Sequence, residues 1–527
     1  MPGLFRAYVA KRTRIPTYFI ESTAPDNVDD GPIAATVPDQ LSQMDANDAI
    51  KDIADYLSRA DKPNLVVMVH GYNNPQQAVL ELYARASATI EGDSKISNRQ
   101  GLVCVGYRWP SEHILQPWRG TLTALPTLLS WILGLALILA TIYLLLGRLF
   151  GFTTHPIGGH VLIMLALLLA GIVVCGAVLR IVVYFRDSYR ATNYGSPDLI
   201  EIIRQIDDKI IRNDMNRKKV DRNTATNDRR EHQVTLSFIG HSMGGYVVTN
   251  AIRVLTDLFA NDDVSRRPYL NTGVVSTTEL TKPKPNIGDV FSVMHLVLAS
   301  PDIPAEALLS NRANFLASSL RRFREAYLFS NEGDEVLRQI STMANYFSFP
   351  TKSWKFGFRL GNVDILSSDY GVVTTPRGSF LAMIRTGYYA LQEIYNKLRT
   401  RRQEVAGFHT LQDKLPETFS YFDCTDYVEP DISGRMRGVL TFALKRKRHN
   451  PKATMHWWSH LHLLLSYLIW QKPNVHGGYF EGALSQQLIY RLACLGYRDT
   501  VAAYGGLPQF SAACSEKQVR VLLSPLL

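Results

Sequence analysis

The chain has 527 residues, 46% of them hydrophobic and 20% charged, with a formal net charge of +10. Its length admits two or three domains. Its five cysteines (Cys104, Cys175, Cys424, Cys494 and Cys514) show no paired spacing, which excludes a disulfide framework and fits reduced, structural thiols. No metal-ligand array, phosphate-binding loop or internal repeat stands out, so neither a metal nor a cofactor is expected.

From the N-terminus, Met1–Arg14 is basic and carries no long apolar core, so a cleavable signal peptide is not expected there. Thr17–Ile20 reads as an edge strand, followed by a Pro/Asp-rich loop and a helix around Asp45–Arg59. Leu65–Val69 reads as a buried parallel strand running into His70-Gly71-Tyr72-Asn73-Asn74-Pro75. Leu102–Tyr107 reads as the next strand.

Two long apolar runs follow. Gly120–Gly147 has no charged residue, and Leu128–Leu146 is dense in Leu, Ile and Ala; Val161–Leu179 repeats the pattern. Each is long enough to cross ~30 Å of hydrocarbon as a helix. The expectation is a two-helix transmembrane hairpin over 119–186, with spans at about 122–146 and 161–183. Arg108 and Arg119 flank one end and Arg180, Arg186 and Arg190 the other, while the turn between holds only Arg148 with two histidines. The positive-inside rule therefore puts both ends in the cytoplasm. The basic clusters Arg217-Lys218-Lys219, Lys397–Arg402 and Lys445–Arg448 would point to nucleic acid in a soluble protein. Beside apolar spans, anionic headgroups explain them, and no nucleic-acid partner is expected.

After a helix over Pro197–Ile211, the run Val234–Ile239 leads into Gly240-His241-Ser242-Met243-Gly244, then a helix-compatible segment from Tyr246 to Leu258. A Gly-x-Ser-x-Gly pentad between strand and helix is the signature of a nucleophile elbow, which pushes a strained serine out above a sheet edge. Ser242 is then the nucleophile. The backbone amides of Tyr72 and Met243 are the expected oxyanion donors, one from the loop after an earlier strand and one from the residue after the serine. In the order serine, acid, histidine, Val293–Ala299 is the next strand, ending in Ser300-Pro301-Asp302. Arg324–Ser330 follows, then Asn331-Glu332-Gly333-Asp334-Glu335. Asp334 lies in the loop after the second strand beyond the nucleophile and is the expected acid. Asp302 is the alternative, and otherwise caps the helix after it. Residues 346–415 read as an insertion covering the pocket, with an aromatic stretch Tyr346–Leu360 and a long helix Phe380–Arg402. Thr418–Cys424 reads as the last strand. His476, in His-Gly-Gly ahead of an amphipathic helix Ala483–Leu495, is the expected base. His456 is the alternative, and His456, His460 and His462 sit in the apolar helical pattern Met455–Trp470.

The motifs Val-His-Gly-Tyr-Asn (69–73), Tyr-Arg-Trp-Pro-Ser (107–111), Gly-His-Ser-Met-Gly-Gly (240–245), Ala-Ser-Pro-Asp-Ile (299–303) and His-Gly-Gly-Tyr-Phe (476–480) resemble landmarks of a bacterial α/β-hydrolase subfamily of unknown function. The resemblance covers roughly residues 60–112, 190–345 and the C-terminal end, and the chain departs from it by insertions in the middle and near position 400. It implies an α/β fold of α/β-hydrolase type, a mostly parallel doubly wound sheet, interrupted by the hairpin. The implied parts are residues 1–118, the hairpin 119–186, a core 187–345, the insertion 346–415, and 416–527 with the last strand, histidine loop and closing helix. The expected function is a membrane-anchored serine hydrolase acting on a carboxylic ester or thioester, its substrate an acyl or lipid molecule and its partner the bilayer. The alternative is a hydrolase-fold membrane scaffold or binding protein without turnover.

Overall fold

The computed structural model describes residues 4–24, 36–111, 182–259, 286–304, 315–320, 322–341, 359–365, 418–444, 457–470 and 472–524, with a few isolated positions between. The strands of the central sheet are β1 Phe5–Ala10, β2 Thr17–Ser22, β3 Leu41–Met44, β4 Asn64–Val69, β5 Leu102–Arg108, β6 Val234–His241, β7 Asn286–Ile287, β8 Phe291–Ala299, β9 Glu325–Ser330, β10 Phe419–Asp423 and β11 Arg520–Leu522. Their order is β11-β10-β9-β8-β6-β4-β5-β2-β1-β3, with β7 paired to β8. Every pairing from β2 to β10 along this order is parallel. Antiparallel strands close the edges: β1 and β3 on one side, β11 on the other. The protein is thus α/β with a mostly parallel central sheet.

Strand β4 illustrates why these residues form the middle of such a sheet. Asn-Leu-Val-Val-Met-Val is buried throughout, as expected of a strand covered on both faces. Leu65, Val67 and Val69 join one apolar cluster and Val66 and Met68 the other, the period-two alternation of a pleated strand. The first cluster takes in α1 (Ala46–Arg59), α3 (Ser196–Lys218) and α4 (Met243–Phe259). The second takes in α2 (Gln76–Gly92), α6 (Ala483–Ala503) and α7 (Leu507–Glu516). Helix α3 buries Leu199, Ile202, Ile203, Ile206 and Ile210, a 3.6-residue stripe that starts after Pro197 in its first turn.

Segments from 1–118, 187–345 and 416–527 all contribute strands to this one sheet. Several sequence expectations need correction. Thr17–Ile20 is not an edge: β2 lies between β1 and β5 with all six residues buried. The basic character of Met1–Arg14 masks β1, in which Arg6 is only half-buried while Phe5 and Ala7 enter one apolar cluster and Tyr8 the other. Thr418–Cys424 is not the last strand, since β11 follows it antiparallel at the edge; three residues beginning with an arginine carry almost no periodic signal. A continuous helix over Phe380–Arg402 does not form, because Tyr389–Ala390 pairs as a strand with Val372–Thr374. Gly387 and the adjoining tyrosines disfavour helix there. Residues 359–363, read as part of a covering insertion, thread into the core, where Leu360 and Val363 are fully buried.

Both apolar runs fall almost entirely outside the described residues. Among the described residues, no helix is long and apolar enough to cross a membrane.

Candidate active site

The sheet reverses its winding between β4 and β6. From β4 the chain moves to β5 on one side, and from β6 to β8 on the other. The loops leaving the carboxyl ends of β4 and β6 therefore part, and the crevice between them is where ligands bind open α/β sheets. His70–Pro75 and Ser242 stand at its two walls.

Ser242 occupies the one-residue turn between β6 and α4, which begins at Met243 rather than at Tyr246. Its φ is +54°, a left-handed conformation that a non-glycine residue adopts at a cost of about 1–3 kcal/mol. The turn is pinned on three sides. The Ser242 N–H donates to the Ala299 carbonyl at 3.0 Å, and the Ser242 carbonyl accepts from the amides of Gly245 at 3.1 Å and Asp302 at 3.0 Å. Glycine is required beside it. A Cβ on Gly244 would lie 2.3 Å from the Val69 carbonyl oxygen, and one on Gly71 would lie 2.7 Å from Ser242 Cβ. The β4 loop thus runs directly against the serine.

His476 lies between α5 (Trp457–Trp470) and the short turn Gly478–Phe480 that leads into α6. Its Nδ1 is 2.7 Å from Asp334 Oδ2. A carboxylate only accepts, so the proton sits on Nδ1 and Nε2 keeps its lone pair. Among the described residues neither His476 Nε2 nor Ser242 Oγ has a hydrogen-bond partner. Asp334 is fully buried, and its Oδ1 accepts the Leu337 amide at 3.1 Å. Its Oδ2 accepts the Ser300 hydroxyl as well as the His476 ring. Burial works against a charged His476, but the Asp334 charge and hydrogen bond, with Asp302 farther off, outweigh it. The ring's pKa is raised above 6.5. His241, beside the serine, is held down at about 3 by burial and by the neighbouring His476. It is therefore neutral, and its Nε2–H donates to the His476 carbonyl at 3.1 Å.

The expected oxyanion donors lie on this crevice. Met243 opens α4, so its N–H is one of those a helix leaves without an intrahelical acceptor. The Tyr72 N–H makes no hydrogen bond among the described residues. The Tyr72 ring meets the His476 ring edge-on, with centroids 6.3 Å apart.

The alternatives fare differently. Asp302 does not meet the histidine: its Oδ1 pairs with Arg359 Nε at 3.1 Å and its Oδ2 accepts the Ser341 hydroxyl at 2.9 Å. Among the described residues it is an internal counter-ion; the helix it was expected to cap lies mostly outside them. His456 lies outside the described residues. His460 uses both ring nitrogens, Nδ1 against Glu335 Oε1 and Nε2 against Arg338 Nη1, each at 2.7 Å. No lone pair is left for a substrate proton. This buried Glu335–His460–Arg338 set ties α5 to the acid loop. Glu335→Ala leaves the buried His460 Nδ1–H without its acceptor and is expected to cost about 1–3 kcal/mol in a denaturant melt. The folded fraction should keep the wild-type reactivity at Ser242.

Four participants were not read from the sequence. Ser300, at φ +44°, bonds the acid. His241 holds the histidine loop. Arg359 arrives from residues assigned to the insertion. Asp187 accepts the Asn73 amide at 2.9 Å. One signal was available for the last: Asp187 is the sole acidic residue between Glu112 and Asp198. The 107–111 motif also finds a role. Arg108 pairs with buried Glu21 at 2.6 Å, Trp109 Nε1 donates to the His70 carbonyl at 2.9 Å, and Ser111 Oγ accepts the Asn74 amide at 2.9 Å. Together they brace the β4 loop.

Set against family models, curated proteins and solved structures, the chain matches none of them.

Proposed function

We propose that this chain is a membrane-anchored serine hydrolase of the α/β-hydrolase fold, cleaving a carboxylic ester or thioester through an acyl-enzyme. The observation that carries this reading is the His476–Asp334 pair, whose free Nε2 shares a crevice with the unpartnered, strained Ser242 hydroxyl. The motif resemblance supports it independently.

In this mechanism His476 Nε2 takes the Ser242 proton as Oγ bonds to the substrate carbonyl carbon. Asp334 keeps the Nδ1–H tautomer and balances the imidazolium. The carbonyl oxygen becomes an oxyanion received by the Tyr72 and Met243 amides, donors worth a few kcal/mol each. Collapse expels the alcohol or thiol, which takes the proton from His476. Water then enters by the same base, and the carboxylic acid leaves. Apo serine–histidine contacts are commonly long and tighten on the substrate, so two unpartnered atoms suit this role.

The anchor rests on the sequence. Two apolar runs, charge-free over 122–146 and 161–179, leave the sheet after β5 and return ahead of α3, with arginines on the sheet side. They put the catalytic part at the cytoplasmic face and make an acyl or lipid substrate the natural class. Fluorophosphonate labelling followed by peptide mapping tests the chemistry: the label should sit on Ser242. An unlabelled, folded protein would point to the scaffold instead. Carbonate extraction tests the anchor, since an integral protein stays in the pellet whereas one held only by charge is released. Recovery in the supernatant would remove the anchor.

A further inference from the structure

Resting on the hydrolase reading above, we propose that Asp187, on the helix that leads back from the second apolar run, is a positioning residue that sets the Gly71–Asn73 loop for acylation at Ser242.

The loop is held by three internal side-chain bonds and by one from Asp187. Asn73 is left-handed at φ +58°, a conformation that persists only where its surroundings hold it. The Gly71 carbonyl accepts from Asn74 Nδ2 at 3.1 Å and His70 Nδ1 at 2.6 Å. In a planar trans peptide this points the Tyr72 N–H the opposite way. The next peptide is fixed by two bonds. The Tyr72 carbonyl accepts from Asn74 Nδ2 at 3.0 Å, and the Asn73 N–H donates to Asp187 Oδ2 at 2.9 Å. Asp187 anchors this loop from the segment after the apolar runs. It is fully buried, and Arg186 holds its other oxygen, with Nε at 3.0 Å and Nη2 at 2.9 Å. A buried carboxylate held on both oxygens has little freedom to follow a moving loop.

The same helix makes a second contact. Tyr184, three residues earlier and so on the same face, packs edge-on against Tyr72 with ring centroids 5.9 Å apart. Its Oη accepts Arg359 Nη2 at 3.2 Å, and Arg359 pairs with Asp302, whose amide bonds the Ser242 carbonyl. Residues 182–190 thus touch the His70–Pro75 wall of the crevice directly and reach the Ser242 wall through Arg359 and Asp302. Nothing in the acyl-transfer chemistry needs a carboxylate at 187. Its burial beside this loop is explained if it aims the peptide units on which the oxyanion site depends.

The test compares full-length wild type with Asp187→Leu, similar in shape but without an acceptor, and Asp187→Asn, which keeps an oxygen for the Asn73 amide. Four quantities are read: kcat and KM on a p-nitrophenyl ester, the affinity for an aryl boronic acid that forms a tetrahedral Ser242 adduct, and the melting temperature. The Leu variant should lose about 10- to 100-fold in kcat and in boronate affinity together, with KM unchanged. That is less than the ~100- to 1000-fold cost of removing an oxyanion donor outright. The Asn variant should recover most of both. Asp214→Ala, which breaks the buried Arg229 pair on α3, should lower the melting temperature without moving boronate affinity. If the Leu variant fails to fold, Asp187→Ser, too short to reach Asn73, carries the same expectation. Wild-type kcat and boronate affinity in a folded Leu or Ser variant would overturn the proposal while leaving the triad standing. Absence of any wild-type adduct at Ser242 would sink the hydrolase reading, and this inference with it.

Discussion

Ser242→Ala is expected to lose fluorophosphonate labelling completely and roughly a million-fold in kcat, the scale on which a catalytic serine is lost. Its folding should be unchanged, because the hydroxyl has no partner to forfeit. Ser242→Gly makes a sharper comparison. Residue 242 sits at φ +54°, where glycine escapes the Cβ clash that a serine suffers. The glycine variant should be equally dead yet more stable than wild type by about 1 kcal/mol, read from the urea midpoint. A glycine variant that is less stable would show that the turn stores no strain. Retained labelling in either variant would move the nucleophile elsewhere.

Loss of His476 should be almost as severe. His476→Ala is expected to slow acylation by roughly ten-thousand-fold or more, and Asp334→Asn by about ten-thousand-fold through the wrong tautomer. The pH dependence separates the two roles. In the proposed mechanism neutral His476 is the base, so kcat/KM should rise with pH through a midpoint above 6.5, the direction in which Asp334 pulls the ring. In Asp334→Asn the opposing effect of burial is left, and the midpoint of the residual activity should fall. Stability follows by linkage. The raised pKa means the folded state holds this proton more tightly than the unfolded chain. That contribution is complete below pH 6.5 and is lost as pH rises through the native value. Titration of the His476 ring signal by NMR measures the shift directly. A midpoint below 6.5 in wild type would contradict the Asp334 assignment.

Legibility in the sequence tracked the length and regularity of each signal. Leu65–Val69 is an unbroken apolar run, Val234–Ile239 and Val293–Ala299 are largely apolar with only Thr235, Ser237 and His295 between, and each became a central strand with its ends displaced by a residue or two. The helix expected over Ala483–Leu495 holds helical geometry until Gly496, where the backbone turns to φ +79°. Short or charged elements were missed. Phe5–Ala10 hides under arginine, and Arg520–Leu522 is too short to show a period. Both exist because an open sheet edge offers unpaired amides and carbonyls to whatever segment can reach it.

The chemistry divides along the same line. Ser242 was marked by local sequence, a glycine pentad between strand and helix, although of its two outer glycines only Gly240 answers to a neighbour in the chain while Gly244 answers to β4. A Cβ at either would collide with backbone, at 2.6 Å from Gly245 Cα or 2.3 Å from the Val69 oxygen. Asp334 followed from counting strands beyond the nucleophile. The histidine could not be fixed this way, since His456, His460 and His476 lie within about one helix of each other in sequence. Tertiary structure separated the two that are described, by giving His460 a carboxylate and a guanidinium and His476 a carboxylate with one nitrogen free. It alone also brought in Ser300, His241, Asp187 and Arg359; the pairs Ser300–Asp334, Asn73–Asp187 and His241–His476 are 34, 114 and 235 residues apart in the chain. A covalent turn is specified by its neighbours in the chain. A hydrogen-bond partner across the crevice is specified by how strands and helices stack, and no local pattern of residues records it.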